Sequence, residues 1–309
     1  MKRPLEWDME SASITRSEKG QEYKISEQKT AKAGEKYAVC PVCPHHCRLK
    51  EGAVGLCRAR RCENRQVVPV NYGMVTALAL DPIEKKPLHF FHPGSRILSV
   101  GSFGCNLYCP FCQNHEIAEG TAKSTGAVRM SPEEILEAAV NLRSRGNIGV
   151  AFTYNEALVG YEFVRDTARL VHEAGMYNVL VTNGMAEMPI LLELLPYIDA
   201  MNIDLKAFRP ELYKWLGGDL QTVLRFISRA AEDSHVELTT LIIPGKNDDP
   251  RDMEQEALWI AEIDPEIPLH ITRYFPRHRM TEPPTDIRKM RELMSVAKKH
   301  LKNVCLGNV

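Results

Sequence analysis

The sequence of 309 residues lacks a long hydrophobic run, a net charge of either sign and an apolar N-terminal leader. No stretch approaches the roughly 18 apolar residues of a membrane span, and residues 1–8 lack the apolar core of a secretory signal. Lys and Arg total 39 against 40 Asp and Glu, so a net charge of -1 provides no basic field for nucleic acid. We therefore expect a soluble cytoplasmic protein that needs neither membrane nor nucleic acid.

Composition and pattern divide the chain into three regions. Hydrophobic residues make up 44% of the sequence, which is enough for a buried core. Residues 1–36 are rich in Lys, Glu, Ser and Gln and show no apolar period, which predicts a polar N-terminal arm. Residues 37–94 hold a cysteine cluster and short strand-like runs. Residues 95–309 alternate strand and helix patterns and form the predicted core domain.

Six apolar, β-rich runs alternate with helical patterns in this last region. They are residues 97–100, 148–154, 178–182, 200–206, 236–243 and 269–275. Ser131, Pro132 and Glu134 mark one helix start, because they combine an N-cap, a proline at the first helical position and a capping box. Six βα units predict an α/β fold with a parallel sheet and right-handed crossovers. Since eight units close a full barrel, six leave an incomplete barrel or an open doubly wound sheet.

Three consecutive predicted strands end in polar side chains. These are Asn155 and Glu156, Thr182 and Asn183, and Asp204 and Lys206. Parallel strands gather their carboxyl ends on one rim, which carries the active site in such folds. The pattern therefore predicts one site lined by these residues. The alternative is that each is only an N-cap or turn former for the next helix.

Cysteine is unevenly distributed, since eight of the nine cysteines fall within residues 40–112. Clustered cysteines in a long intracellular chain indicate metal ligands rather than a disulfide framework. Cys105, Cys109 and Cys112 follow the first predicted strand with the spacing C-x3-C-x2-C. A [4Fe–4S] cluster needs four ligands, so three thiolates leave one iron open to a substrate. The alternatives are unligated buried thiols or a zinc site completed by His115.

A second set of cysteines precedes the predicted sheet. Cys40, Cys43, Cys47 and Cys57 have the spacing C-x2-C-x3-C-x9-C, and Cys62 is a spare thiol. Four ligands close a tetrahedral zinc site or hold a cubane. Structural zinc, an auxiliary Fe–S cluster and no metal at all stay open for this set.

The C-x3-C-x2-C motif, with Tyr108 and Phe111 beside it, resembles the radical S-adenosylmethionine (SAM) signature. Residues 81–88, 91–95, 241–248 and 270–276 resemble the AmmeMemoRadiSam system radical SAM enzymes, which are relatives of the pyruvate formate-lyase activating enzymes. The resemblance extends over about residues 38–300. It implies a partial (β/α)6 TIM-like barrel of radical SAM type, preceded by a small Cys-rich metal-binding segment.

The resemblance also implies a chemistry. A reduced [4Fe–4S] cluster binds SAM at its open iron and cleaves it to methionine and a 5′-deoxyadenosyl radical, which removes hydrogen from a substrate. A flavodoxin or ferredoxin is the expected reductant, and the family name points to Memo-like and AMMECR-like partners. Two alternatives remain: an activase that installs a glycyl radical on a partner protein, and a non-catalytic Fe–S or zinc binding module. The sequence does not specify the substrate.

The resemblance extends to the residues that bind SAM at the second strand. Activating enzymes place Gly-Gly-Glu there, against the methionine amine. This chain has Tyr154, Asn155 and Glu156 instead, so Glu156 keeps the acceptor role without the two glycines.

Later strands supply the remaining implied contacts. Thr182 and Asn183 take the ribose, where activating enzymes use an Asp. Lys206 binds the methionine carboxylate and, without SAM, is expected to pair with Asp204 or Glu156. His270 or His278 assists at the last strand.

Overall fold

The computed structural model describes residues 37–309, so the predicted polar arm at residues 1–36 lies outside the described residues. The strands in this part of the chain are numbered in chain order: β1 (Ala38–Val39), β2 (Arg48–Leu49), β3 (Arg60–Glu63), β4 (Gln66–Pro69), β5 (Met74–Val75), β6 (Ala77–Pro82), β7 (Arg96–Gly101), β8 (Val128–Arg129), β9 (Asn147–Thr153), β10 (Tyr177–Thr182), β11 (Ala200–Asp204), β12 (His235–Ile242), β13 (Leu269–Arg273) and β14 (Val304–Gly307).

Eight α-helices are described for the same residues. They are α1 (His115–Ala118), α2 (Pro132–Asn141), α3 (Tyr161–Glu173), α4 (Met188–Leu194), α5 (Pro210–Trp215), α6 (Leu220–Asp233), α7 (Pro250–Ile263) and α8 (Ile287–Ala297). The predicted start of α2 is confirmed, because Ser131 and Glu134 exchange both bonds of a capping box. No helix in residues 37–309 is both long and apolar enough to cross a membrane.

The central sheet has eight strands in the order β14-β13-β12-β11-β10-β9-β7-β6. β6 runs antiparallel to β7, and every other neighbouring pair is parallel. All six predicted strands are present, which confirms the α/β fold with a parallel sheet. The described sheet has two free edges, β6 and β14, so it forms an incomplete barrel. The sequence pattern includes a strand-like run at residues 75–78, which overlaps β6, but it did not assign β6 to this sheet and did not predict β14. The side chains of both strands are mostly half-buried and lack a clear pattern.

The two faces of the sheet follow the alternation of side chains along each strand. In β7, Leu98 and Val100 join the large core formed with the helices, whereas Ile97 belongs to a separate cluster inside the barrel. Ile83 and Leu88 join that inner cluster and are 0% exposed. We call residues 83–91 the plug segment, because they fill the barrel interior after β6.

The predicted boundary between residues 94 and 95 stays a prediction, although residues before it contact the barrel. β6 pairs with β7 over six residues, and the plug segment packs against β7, β9, β10 and β11. Both belong physically to the barrel, although the sequence analysis assigned them to the Cys-rich segment. Short apolar runs separated by prolines gave no signal that they cross into a later sheet.

The cysteine-rich segment is anchored to the barrel by one buried arginine. Arg60 on β3 is 2% exposed and donates to both carboxylate oxygens of Glu162 on α3, at 2.9 and 2.7 Å. Its guanidinium also donates to the backbone carbonyls of Val159 and Val67. This bidentate pair fixes the β3–β4 hairpin against the start of α3.

Candidate metal centre and cofactor pocket

Cys105, Cys109 and Cys112 lie on the loop that connects β7 to α1, and all three are free thiols. Burial raises the pKa of each thiol, to about 11 for Cys109, while the Lys206 ammonium acts in the opposite direction on Cys109 and Cys112. The backbone N–H of Leu107 donates to Cys105 Sγ at 3.4 Å. Three unpaired thiols on one loop fit the ligand set of an iron–sulfur cluster, whose binding would deprotonate them.

A glycine allows the cysteine-rich segment to pack directly on this loop. Gly104 has φ +97°, and a Cβ there would lie 2.7 Å from both the Cys57 carbonyl oxygen and Ala59 Cβ. Any other residue would push the segment away from the loop. Nearby, His45 Nε2 lies 2.8 Å from the carbonyl oxygen of Asn106. The two cysteine regions are therefore in direct contact.

The polar residues that follow β9 brace the loop. Asn155 accepts a bond from the Ser102 N–H at 2.9 Å and donates to the Gly104 carbonyl at 3.1 Å. Glu156 is 4% exposed, and its carboxylate accepts bonds from Leu158 N–H, Thr182 Oγ1 and Asn183 N–H at 2.7 to 3.0 Å.

These bonds change the expected roles of the pair. The Asn155 amide is used by the protein backbone, so it positions the cysteine loop. Glu156 both caps the following turn and fixes the end of β10. A carboxylate has about four acceptor sites, so three donors leave roughly one for a ligand ammonium.

Asn183 connects the end of β10 to the cysteine loop. Its side-chain amide donates to Asn106 Oδ1 at 3.0 Å and lies 3.7 Å from Cys105 Sγ. Thr182 lies beside it, and both are buried. The structure therefore brings the ends of β9 and β10 together around Cys105.

Asp204 and Lys206 form an ion pair at the end of β11, with Lys206 Nζ 2.8 Å from Asp204 Oδ2. This confirms the expected partner of Lys206 in the absence of SAM. Burial alone would lower the pKa of Lys206, but the negative charges of Asp204 and Cys109 outweigh it and raise that pKa. The Asp204 carboxylate also raises the pKa of Glu156, after burial. These groups therefore share one electrostatic environment with the cysteine loop.

The predicted role of His270 in the SAM pocket is corrected by the structure, which places this residue away from the rim. It is the second residue of β13, and its Nε2 lies 2.6 Å from Glu237 Oε2 near the amino end of β12. Its side chain faces the other end of the barrel from Lys206, so we remove it from the cofactor pocket. His278 lies nearer the loop and stacks on His115, with ring centroids 4.3 Å apart.

The four upstream cysteines converge, because one small cavity is lined by Cys40, Cys43, Cys47 and Cys57 together. All four are free thiols. A shared zinc ion would place thiolates about 3.8 Å apart, given a Zn–S distance of roughly 2.3 Å. Among residues 37–309, however, no three of these sulfurs lie within 4.8 Å of one another. The set is therefore wider than a zinc site.

One polar cluster inside the barrel was missed by the sequence analysis. Asp81 Oδ2 accepts bonds from Tyr154 Oη at 2.7 Å, Lys86 Nζ at 3.0 Å and Ser99 Oγ at 3.0 Å. Lys86 is 2% exposed, and Tyr154 has the left-handed φ of +74°. The available signal was the pair of opposite charges within residues 81–86, but only the fold shows that they point inward.

Comparison with known proteins adds to this geometry. An uncharacterized protein of Methanocaldococcus jannaschii is 39% identical over 274 residues, which cover 87% of this chain and 81% of that protein. The pyruvate formate-lyase 1-activating enzyme of Escherichia coli K12 is 29% identical over 164 residues, covering 51% of this chain and 65% of that enzyme. The crystal structure of QueE from Escherichia coli has a TM-score of 0.51 at 13% identity and covers 75% of this chain and 92% of QueE, a similarity of fold alone.

The family model described as the Radical SAM superfamily matches residues 99–257, which is about half of the chain and includes the three-cysteine loop. Proteins of this family use a [4Fe–4S] cluster and SAM, and the pyruvate formate-lyase activating enzymes are among its members. The three free thiols and the ion pair beside them are compatible with those two cofactors. This chain belongs to the radical SAM superfamily.

Proposed function

We propose that this protein is an enzyme that holds a [4Fe–4S] cluster on Cys105, Cys109 and Cys112 and uses SAM to remove hydrogen from a substrate. When bound and reduced, the cluster supplies the electron that splits SAM into methionine and a 5′-deoxyadenosyl radical. The observation that supports the proposal is convergence: Glu156, Asn183 and Lys206, which follow β9, β10 and β11, all lie near the cysteine loop. Members of the superfamily are mostly enzymes.

The residues of the rim take distinct roles in this proposal. Lys206 releases Asp204 and binds the carboxylate of SAM, because an ammonium is a compact charge suited to it. Glu156 offers its remaining acceptor site to the methionine ammonium. Thr182 and Asn183 face the ribose. The protein's share is to orient SAM and exclude water.

The experiment measures 5′-deoxyadenosine release and SAM affinity with anaerobically reconstituted, reduced protein. Replacing all three loop cysteines with Ala should abolish SAM cleavage. Lys206→Met should weaken SAM binding roughly 10-fold or more at equal cluster content, since a charge-assisted hydrogen bond contributes about 1.5–3 kcal/mol. Lys214→Met, on the exposed face of α5, is the matched control and should bind SAM as the parent does. Equal affinity in both variants would contradict the assignment of Lys206.

For the set Cys40, Cys43, Cys47 and Cys57, we propose an auxiliary Fe–S cluster rather than zinc. Two observations support this choice: within residues 37–309 no three of the four sulfurs lie within 4.8 Å of one another, and Cys57 packs against Gly104 beside the cysteine loop. The variant that lacks the three loop cysteines isolates this set. It should retain bound iron and sulfide after reconstitution, whereas a protein with zinc alone would refute the proposal.

A glycyl-radical activase is the second candidate function, and similarity to the activating enzyme of Escherichia coli favours it. A glycyl-radical signal on a co-expressed partner protein would support it. Membership of the AmmeMemoRadiSam group is a finer proposal that rests on the motif at residues 81–88. It predicts that label from SAM turnover appears in a Memo-like or AMMECR-like protein. If no 5′-deoxyadenosine forms, the non-catalytic module is correct.

We also propose a flavodoxin or ferredoxin as the reductant. A cytoplasmic location goes with this proposal, because all nine cysteines are unpaired and iron ligands need reduced thiols. Chemical reduction and reduction by flavodoxin should yield the same product. A reconstituted protein that responds to neither would argue against the electron-transfer step.

A further inference from the structure

Three potential metal ligands meet on the side of the barrel opposite to the cysteine loop. They are His89 of the plug segment, His270 of β13 and Cys305 of β14. One ring nitrogen of each histidine and Cys305 Sγ all lie within 4.8 Å of one another, and no other trio in residues 37–309 does so. The two imidazoles contact edge to face, with centroids 4.7 Å apart.

A buried carboxylate orients this group. Glu237 is 0% exposed and accepts a bond from His270 Nε2 at 2.6 Å. It also accepts the backbone N–H groups of His89 and Phe90, at 3.0 and 2.8 Å, and lies 2.9 Å from His235 Nε2. Histidines that bind metals usually donate their second ring N–H to a carboxylate in this way. Because Nε2 of His270 bonds to Glu237, Nδ1 is the ring nitrogen of His270 available to a metal ion.

The other potential ligand atoms of His89, His270 and Cys305 have no hydrogen-bond partner within residues 37–309. His270 is 2% exposed, and within residues 37–309 its side chain hydrogen-bonds only to Glu237. The His89 ring and the Cys305 thiol make no hydrogen bond within residues 37–309, and Cys305 is in no disulfide. A purely structural His–Glu pair would explain Glu237 and His270. It would not explain why a second imidazole and a thiol face the same point.

The donor set favours zinc over the metals that prefer oxygen ligands. Imidazole and thiolate suit zinc, whereas magnesium and calcium take oxygen ligands. Three protein ligands leave the fourth tetrahedral position for water. The position of the three residues in the fold also supports a metal site, because two of them lie on or next to β6 and β14, the two edges of the open sheet. His89 follows β6 in the chain, and Cys305 lies on β14.

We propose that His89, His270 and Cys305 bind one zinc ion that clasps the open side of the barrel. The ion joins the plug segment to the last two strands, so it holds the barrel interior closed at the end away from SAM. This zinc clasp does not depend on the radical chemistry proposed above. It is separate from both cysteine sets in sequence and in space.

The test titrates zinc chloride into the reconstituted full-length protein and compares parent, Cys305→Ser, His89→Ala and Cys62→Ser. Cys62 is a buried free thiol outside all three groups, so its variant is the control for loss of a cysteine. Parent and control should bind one more zinc equivalent than the two clasp variants. Their melting temperature should rise with zinc, and that of the clasp variants should not.

Zinc-edge X-ray absorption reports the ligands independently of enzyme activity. The clasp predicts that the additional zinc ion bound by the parent and by Cys62→Ser has a mixed shell of nitrogen and sulfur. His89 is exposed, so His89→Ala tests the clasp without disturbing the core. Equal zinc content in parent and both clasp variants, or a shell of sulfur alone, would overturn the proposal.

Discussion

Arg60 offers the sharpest test of how the cysteine-rich segment is attached to the barrel. Its side chain is 2% exposed, that of Glu162 is 14% exposed, and the two form a bidentate pair. Arg60→Met leaves the Glu162 carboxylate with no cation in a buried place. Removing one partner of such a pair costs about 3–5 kcal/mol. For a domain of this size, that loss lowers the melting temperature by roughly 10 °C.

Neighbouring residues supply the control. Arg61 lies on the same strand and pairs with Glu63, but both side chains are more than 40% exposed. Arg61→Ala should therefore change stability by less than about 1 kcal/mol. The double variant Arg60→Met/Glu162→Leu should recover much of the loss, because no charge is left buried.

The assay combines thermal unfolding with limited proteolysis of residues 37–76. The second measurement covers the case in which the segment detaches while the barrel stays folded. Arg60→Met should be cleaved faster in this segment and lose metal from Cys40, Cys43, Cys47 and Cys57. If Arg60→Met matches Arg61→Ala in both measurements, the buried pair does not anchor the segment.

Three further predictions concern the barrel itself. Gly101→Ala places a methyl group 2.8 Å from Tyr154 Cδ2, so it should displace the Tyr154 ring from Asp81. The free energy of unfolding, measured with urea, should fall by about 1–3 kcal/mol. An unchanged urea midpoint would contradict this. Burial raises the pKa of Glu256 to about 8, above the value of 4.5 in the unfolded chain. The free energy of unfolding should therefore fall by about 1.4 kcal/mol for each unit that the pH rises between these two values. The neutral variant Glu256→Gln should therefore be more stable than the parent at pH 8, and the gain should vanish near pH 4.5. Ser131→Ala should cost about 1 kcal/mol, measured by thermal unfolding, because it removes the N-cap of α2.

Sequence patterns predicted the core of the fold because its strands are strongly apolar and regularly spaced. All six predicted strands form, and the capping box at Ser131 starts a helix as expected. The edges escaped prediction for a physical reason. β6 and β14 are partly exposed, so their identity as strands depends on pairing with distant neighbours rather than on local pattern.

The candidate site, like the fold, could be predicted from the sequence only in part. The ends of β9, β10 and β11 lie near the cysteine loop, as expected for parallel strands that share one rim, whereas the ligand and cofactor roles of these residues stay predictions. His270 also lies on a predicted strand, but at its amino end. The predicted strand over residues 269–275 already placed His270 near its amino end, but the resemblance assigned it to the opposite rim. The bond to Glu237 shows that its side chain lies at the amino end.

The plug segment has a consequence for how a substrate reaches the radical. Ile83 and Leu88 are 0% exposed inside the barrel, so the end away from the cysteine loop is filled. In the proposed function, we therefore expect a substrate to approach from the carboxyl rim, where SAM would bind. Beneath that rim it meets the charged pair of Asp81 and Lys86, with Tyr154 bonded to the same carboxylate. In that proposal, a substrate that reaches the barrel interior therefore has to bind to or displace this buried charged pair.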